Sequence, residues 1–321
     1  MLLWRYSRSL CRKLRKGERD MKTNSRNLVM LSVTGQVSSP TMAETGYRIG
    51  STGSPVILPG TGGITYNIKI GHPACGWVAD HVEPAVSVKN SAPKEGTRSA
   101  NAALNILSCI GNEAVVISGD AKGAKGVVTG KHGGIEHVLM DFDDRALRRL
   151  AIGDHITVRA YGTGLRIEGF DGLKLMNLDP GLFDKMNARV VKDKLEVGVS
   201  HVVPSAMMGS GIGKVHAHSG DYDIQLLDKK SVTKHGLGDM RLGDIVAIKD
   251  ADNTFGRMYR KGAITIGVVV HSDCVLSGHG PGVTTVMTSS KGYIAPKIDP
   301  NANIAKLLRI GIFRTKAGGK K

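Results

Sequence analysis

Apolar residues along the chain fall mostly into short β-branched runs separated by glycine-bearing turns, and helical spacing is confined to a few brief stretches. The strongest run, Ile264 to Val270, is uniformly apolar and too short to cross a membrane, so it predicts a strand covered on both faces. A polar turn then leads into a second β-branched run, Val283 to Thr288, and the two predict a hairpin. Upstream, Leu28 to Val37 alternates as a strand, Ser38 to Gly63 reads as a Gly, Pro, Ser and Thr-rich loop, and Ile64 to Ile70 predicts another strand. Ser99 to Ile110 has helical spacing, with Ser99 placed to cap the first turn and Gly111 to end the last. Residues 113–142 have the rhythm of short strands and glycine turns, 143–151 predict a short helix, and Asn301 to Ile310 a closing one.

Two segments share a beat. LAIGDHITV at Leu150 to Val158 and RLGDIVAI at Arg241 to Ile248 each read as a Gly-Asp turn followed by an alternating strand, which suggests a small barrel in each half. The expected fold is therefore mainly β with a few helices (α+β), arranged as two small β-barrel-like domains. The turn, short strand and Pro180-opened helix between Asp171 and Arg189 mark the boundary. The expected organisation is a basic, disordered extension at 1–23, an N-terminal β domain at 24–175, a C-terminal β domain at 176–312, and a basic tail at 313–321.

The 42 glycines and the 4% aromatic content exclude an all-helical protein. The net charge of +16 points toward a polyanionic partner, but its distribution weakens that reading. Residues 1–20 carry +5 and residues 306–321 carry +6, so the interior of the chain is only mildly basic. Four cysteines, Cys11, Cys75, Cys109 and Cys274, form no CxxC pair, which argues against a cysteine-only zinc site and fits a reducing cytoplasm. The N-terminal residues lack the apolar stretch of a secretory signal, and no run approaches a membrane span. The expectation is a cytoplasmic protein with no membrane contact, acting on a small-molecule ligand, with homo-oligomerisation left open.

Chemically capable side chains gather at the predicted hairpin tip. His271, Asp273, Cys274 and His279 lie within nine residues and are the catalytic candidates, with Cys274 a nucleophile if a neighbouring imidazole activates it and otherwise a packed thiol. Gly280 and Gly282 in GHGPGV could offer backbone N–H groups to a substrate oxygen, and Arg257 a guanidinium to an acidic ligand. A second cluster, GHPACGWVADHVEP, contributes His81 and Glu83 as substrate-binding candidates if it meets the hairpin in space. His216 with His218, and Asp221 with Asp223, are spaced by two, so on a strand each pair shares a face. Together with His271 they form the candidate ligand set for a divalent metal, zinc first. The competing view makes the histidines structural and the glycine loops a plain binding pocket without chemistry.

Three resemblances follow from the motifs. SGDAKGAKGVVTG at 118–130 resembles the KOW-type segment of small barrels in ribosomal and transcription proteins, which implies a nucleic-acid contact through Lys122, Lys125 and Lys131. GNEAVVISGDAKGAKGVVTGKHGGIEHV and FGRMYRKGAITIGVVVHSDCVLSGHGPGVTT resemble an uncharacterised bacterial family of conserved hypothetical proteins, a domain of unknown function, over roughly Asn24 to Thr315. AMMGSGIG, GDYDIQLLD and KGAITIGVVVHSD, in that order, are similar to acetamidase and formamidase enzymes. That likeness implies a metal-assisted amide hydrolysis with His271, Asp273 and Asp223 as metal or catalytic positions. The glutamine and acid-rich run those enzymes carry after the histidine is replaced here by GHGPGV. The leading expectation is a metal-assisted hydrolase or lyase of a small polar metabolite; nucleic-acid binding is the alternative.

Overall fold

The computed structural model describes residues 18–19, 21–42 and 44–315. Most of the expected N-terminal extension (1–17 and 20) and the end of the basic tail (316–321) lie outside the described residues. Within that extension, Glu18–Arg19 forms a short antiparallel pairing with Val190 and Val191.

The N-terminal half is a closed six-stranded antiparallel barrel. Leu31–Val37 pairs with His155–Ala160, which pairs with Glu113–Val116, and the path continues through Lys125–His132, His137–Asp141 and Ala85–Lys89. Closure comes from Gln36 and Val37 pairing with Lys89 and Val88. Alternating burial along Leu31–Val37 turns Val33 and Val37 inward, where they meet Val86, Val88, Val128, Met140, Ile156 and Val158. The helix Ala100–Leu107, capped as expected by Ser99 accepting from the N–H of Ala102, contributes the fully buried Leu104 to this core. Gly35 makes the packing possible, because a Cβ there would stand 2.7 Å from Leu104 Cδ2.

The C-terminal half layers two open sheets over one large core. The six-stranded sheet runs Lys174–Leu175, Gly282–Ser289, Met258–Val269, Ile245–Asp252 and His201–Pro204, with Tyr222–Asp223 also paired to Gly282–Ser289. The four-stranded sheet comprises Glu18–Arg19, Arg189–Val191, Lys194–Val199 and Ile294–Ile298. Pairing therefore closes a ring in the first half and leaves sheets in the second, among the described residues, and five short helices complete a mostly β, α+β protein. The repeated Gly-Asp beat is a repeated turn: Asp154 Oδ2 accepts from Ala151 N–H at 2.9 Å, and Asp244 Oδ2 from Arg241 N–H at 2.8 Å. Each turn releases its strand, one into the barrel and one into the large sheet. The larger core also takes in Ile68, Ile70, Ala74 and residues from Leu165 to Ala188, so the segment around the expected boundary packs with the C-terminal half.

The halves are joined where the barrel hairpin Lys125–His132 and His137–Asp141 meets the central hairpin of the second half. A register shift after Val128 bulges the barrel strand, and Gly130 lets it approach so closely that a Cβ would lie 2.2 Å from Val270 Cγ1. Thr284 Oγ1 bonds both the N–H and the carbonyl of Lys131, at 3.1 and 3.0 Å. Lys131 itself is fully buried, with Nζ donating to Asn177 Oδ1 at 2.6 Å and to the His218 carbonyl at 2.8 Å. This corrects the expectation that Lys131 joins Lys122 and Lys125 in a contact with nucleic acid: Lys122 and Lys125 are exposed, whereas Lys131 is buried and ties the two halves together.

Candidate metal centre

The junction brings four imidazoles and two aspartates to one point. His132 ends its barrel strand two residues after Gly130, and His271 follows Val270 directly, so the Gly130–Val270 approach sets the two rings 4.2 Å apart. Asp221 arrives on the turn before Tyr222–Asp223, held by Gly133 N–H donating to its Oδ1 at 2.7 Å. The close passage of Gly220 over Gly133 allows that contact. His81 reaches the same point from the 80–83 segment, which is stitched to the hairpin turn by Val82 N–H to Ser272 Oγ at 3.0 Å and His81 N–H to the Asp273 carbonyl at 3.1 Å. Its backbone is held in the left-handed region at φ 56°, a conformation that costs energy for a non-glycine residue.

Two groups of ligand atoms result. In the inner group, one nitrogen each of His132 and His271 and a carboxylate oxygen of Asp221 lie within 4.8 Å of one another, all buried. His271 Nε2 stands 2.7 Å from Asp221 Oδ2, yet neither atom is aligned with a hydrogen-bond partner. The other nitrogen of His271 lies 2.8 Å from the Ser272 carbonyl, which keeps a proton on Nδ1, so that loss of the second proton bares the lone pair of Nε2. His132 is oriented in the same manner by Glu83 Oε1, 2.7 Å from its Nδ1. A carboxylate behind an imidazole in this way is the usual second layer of a metal site. Gly282 opens the space: a Cβ there would fall 1.7 Å from Asp221 Oδ2 and 2.2 Å from His271 Nε2.

The outer group contains His81, Cys274 and His279, again within 4.8 Å of one another. Asp223 stands between the groups, with Oδ1 3.6 Å from His271 Nε2 and Oδ2 3.0 Å from His279 Nδ1. The electrostatics demand positive charge. Burial works against the ionised form of Glu83, Asp221 and Asp223, but the surrounding imidazoles outweigh it and hold all three carboxyls below their usual range. Burial likewise opposes a charge on His81 and His271, and the adjacent carboxylates reverse this, raising them to about 12 and about 10. Burial raises the Cys274 thiol. Two clefts of about 470 and 450 Å³ reach the outer group, one walled by Tyr47, Arg48, Asp80 and His81, the other by Cys75, Lys229, Cys274 and His279.

Of the expected site residues, His271, Cys274, His279, His81, Asp221 and Asp223 converge here. Glu83 is fully buried behind the site, accepting from Gly62 N–H and Ser87 Oγ besides facing two histidines, so it orients the imidazoles of His132 and His137 and is closed off from both clefts. Asp273 is turned away, its Oδ2 facing Gly76 N–H at 3.3 Å. His216 and His218 join neither group; residues 211–221 form turns, so the two-residue rule for a strand does not apply, and His216 is exposed while His218 offers its carbonyl to Lys131. Arg257 is buried against Tyr222, its guanidinium 5.2 Å from the ring and bonded to the Ser219 carbonyl at 3.0 Å. Gly280 lines the second cleft and passes so near Ile224 that a Cβ would overlap its carbonyl. Two residues escaped the sequence reading, His132 and His137. They sit directly opposite each other across the KHGGIEH hairpin, so both imidazoles share a face and both Nδ1 atoms meet Glu83.

A closed barrel docked on a layered β domain, with a buried imidazole and carboxylate centre at the seam, defines a two-part β protein built around an intramolecular interface. The chain belongs to the DUF4438 family: its residues 47–184 match the N-terminal domain of unknown function of that name and residues 185–308 the C-terminal one. It is also similar to the solved structure "Crystal structure of TM1086", at 46% identity and a TM-score of 0.84, over 89% of this chain and 98% of that one. No curated protein matches the chain.

Proposed function

We propose that the chain is a divalent-metal-dependent hydrolase of a small polar substrate, with the ion bound by His132, Asp221 and His271. The observation that carries this reading is the contact of Asp221 Oδ2 with His271 Nε2, two buried atoms that face each other at 2.7 Å as an ion pair without hydrogen-bond alignment. A hydrogen bond left unmade at a buried polar atom costs about 1–3 kcal/mol, and a cation shared by the two atoms would give each a directed partner. Imidazole and carboxylate donors suit zinc, and three protein ligands leave a coordination position for water. Bound in that position, the ion would lower the pKa of its water toward about 7. Asp223, 3.6 Å from His271 Nε2, brings a second carboxylate within reach of the ion. An amide is the favoured bond class, because the GDYD segment that supplies Asp221 and Asp223 lies in one of the stretches that resemble acetamidases. The described cysteines Cys75, Cys109 and Cys274 are free thiols, which supports a cytoplasmic setting. No helix among the described residues is long and apolar enough to cross a membrane.

Metal analysis of the purified full chain tests the reading, together with a panel of small amides. Bound divalent ion that His271→Gln removes, and amide hydrolysis that a chelator abolishes and zinc restores, are expected. A folded protein that retains no divalent ion after dialysis against zinc or manganese overturns it.

A further inference from the structure

We propose that the outer group, His81, Cys274 and His279, is a second cation site, joined to the inner one through the carboxylate of Asp223. The inference rests on the inner-ion reading and extends it to a two-ion centre.

Geometry supports this in three ways. First, Asp223 divides its two oxygens: Oδ1 faces His271 of the inner group, while Oδ2 lies 3.0 Å from His279 Nδ1 and 3.6 Å from His81 Nε2. A single carboxylate placed so is suited to bridge two ions, which in such centres stand about 3.5–4 Å apart. Second, the ligands are held from behind. His81 Nδ1 lies 3.0 Å from Asp80 Oδ1, which leaves Nε2 to the ion, and Leu276 N–H points at Cys274 Sγ from 3.2 Å, as it would to stabilise a thiolate. Third, His81 Nε2 and His279 Nδ1 approach to 3.1 Å, a hydrogen bond whose spacing is also close to that of two nitrogens on one tetrahedral ion.

The donor set selects the ion. One thiolate, two imidazoles and a carboxylate oxygen make a mixed N, S and O site of tetrahedral size, which suits zinc and disfavours magnesium or calcium. Binding there displaces the thiol proton, which otherwise lies against Asp80 Oδ1 at 2.8 Å. The side chain of His279 is 34% exposed while those of the inner ligands His271 and Asp221 are at most 4%. The outer ion is therefore the one that a ligand entering either cleft meets first, and the chemistry it favours is a small molecule offering a carbonyl or carboxylate oxygen.

Cobalt(II) titration of the full chain with metal counting separates the two sites. Expected are about two ions per chain, with a cobalt–thiolate charge-transfer band in the near ultraviolet. Cys274→Ser should remove the band and His279→Gln should lower the count to about one, each with cooperative unfolding retained. His271→Gln should empty the inner site and keep the band. A protein that binds one ion, loses it in His271→Gln and never shows the band overturns the second site and leaves the first standing. Absence of any ion overturns both.

Discussion

Glu83 holds His132 and His137 with one carboxylate: Oε1 lies 2.7 Å from His132 Nδ1, and Oε2 3.0 Å from His137 Nδ1. The same Oε2 accepts from Gly62 N–H and Ser87 Oγ, both at 2.6 Å. Glu83→Gln preserves volume but turns an amide N–H₂ toward donors, so one of them loses its acceptor at a cost of about 1–3 kcal/mol. The ring of His132 also loses its fixed tautomer. Zinc affinity should fall about 10- to 100-fold, the usual effect of losing a carboxylate behind a ligating imidazole. Competition with a chromophoric chelator measures this, and unchanged affinity would remove Glu83 from the site.

Gly282 tests the cavity itself. Its missing Cβ would fall within 2.2 Å of both Asp221 Oδ2 and His271 Nε2, so Gly282→Ala places a methyl where the proposed ion would sit. Overpacking should cost about 1–3 kcal/mol, and inner-site binding should vanish. Gly278→Ala is the control. That residue has φ 80° but open space around its Cβ position, so about 1 kcal/mol of backbone strain is expected with metal binding intact. Equal loss of metal in both variants would mean that the turn, rather than the cavity, governs binding.

How much of this was legible in the sequence differs from residue to residue. The hairpin was: the β-branched runs ending at Val270 and beginning at Val283 became strands Met258–Val269 and Gly282–Ser289, with Val269 opposite Val283. His81, Asp221 and His271 could be selected by residue type, but their convergence depends on Gly130 meeting Val270 across the two halves, which no local pattern reveals. Asp273 misled because the strand ends at Val269, after which alternation no longer decides where a side chain points. His132 and His137 were overlooked because glycines and lysines dominated the reading of their segment. The available signal was two histidines flanking a four-residue hairpin tip, at positions that strand pairing sets opposite each other.

If the proposed ion is bound, removing it should weaken the fold. An ion bound by the native chain alone adds about 2.7 kcal/mol when its free concentration is 100-fold above Kd. In a chain of this size that corresponds to a fall in Tm of about 5 °C on chelation. Differential scanning fluorimetry with and without EDTA reads the difference, which Asp221→Asn should erase. A Tm indifferent to chelator in the unmodified protein would show that nothing bound at the seam contributes to stability.

Lys131 supplies a separate test of how the halves are held together. Its Nζ donates to Asn177 Oδ1, the His218 carbonyl and, at 3.4 Å, the Ile106 carbonyl, while Asn177 Nδ2 donates in turn to the carbonyls of Ala217 and Thr285. Replacing a buried charge by an apolar chain of similar length can be favourable when its partners go with it, but here the acceptors remain. Lys131→Met should therefore destabilise by about 2–3 kcal/mol, chiefly through the acceptors left bare. Because both side chains belong to one network, Lys131→Met and Asn177→Ala should be non-additive by about 1 kcal/mol or more in urea unfolding. Strict additivity would mean that each residue acts alone and that the Gly130–Val270 packing, not this bridge, fixes the barrel against the second half.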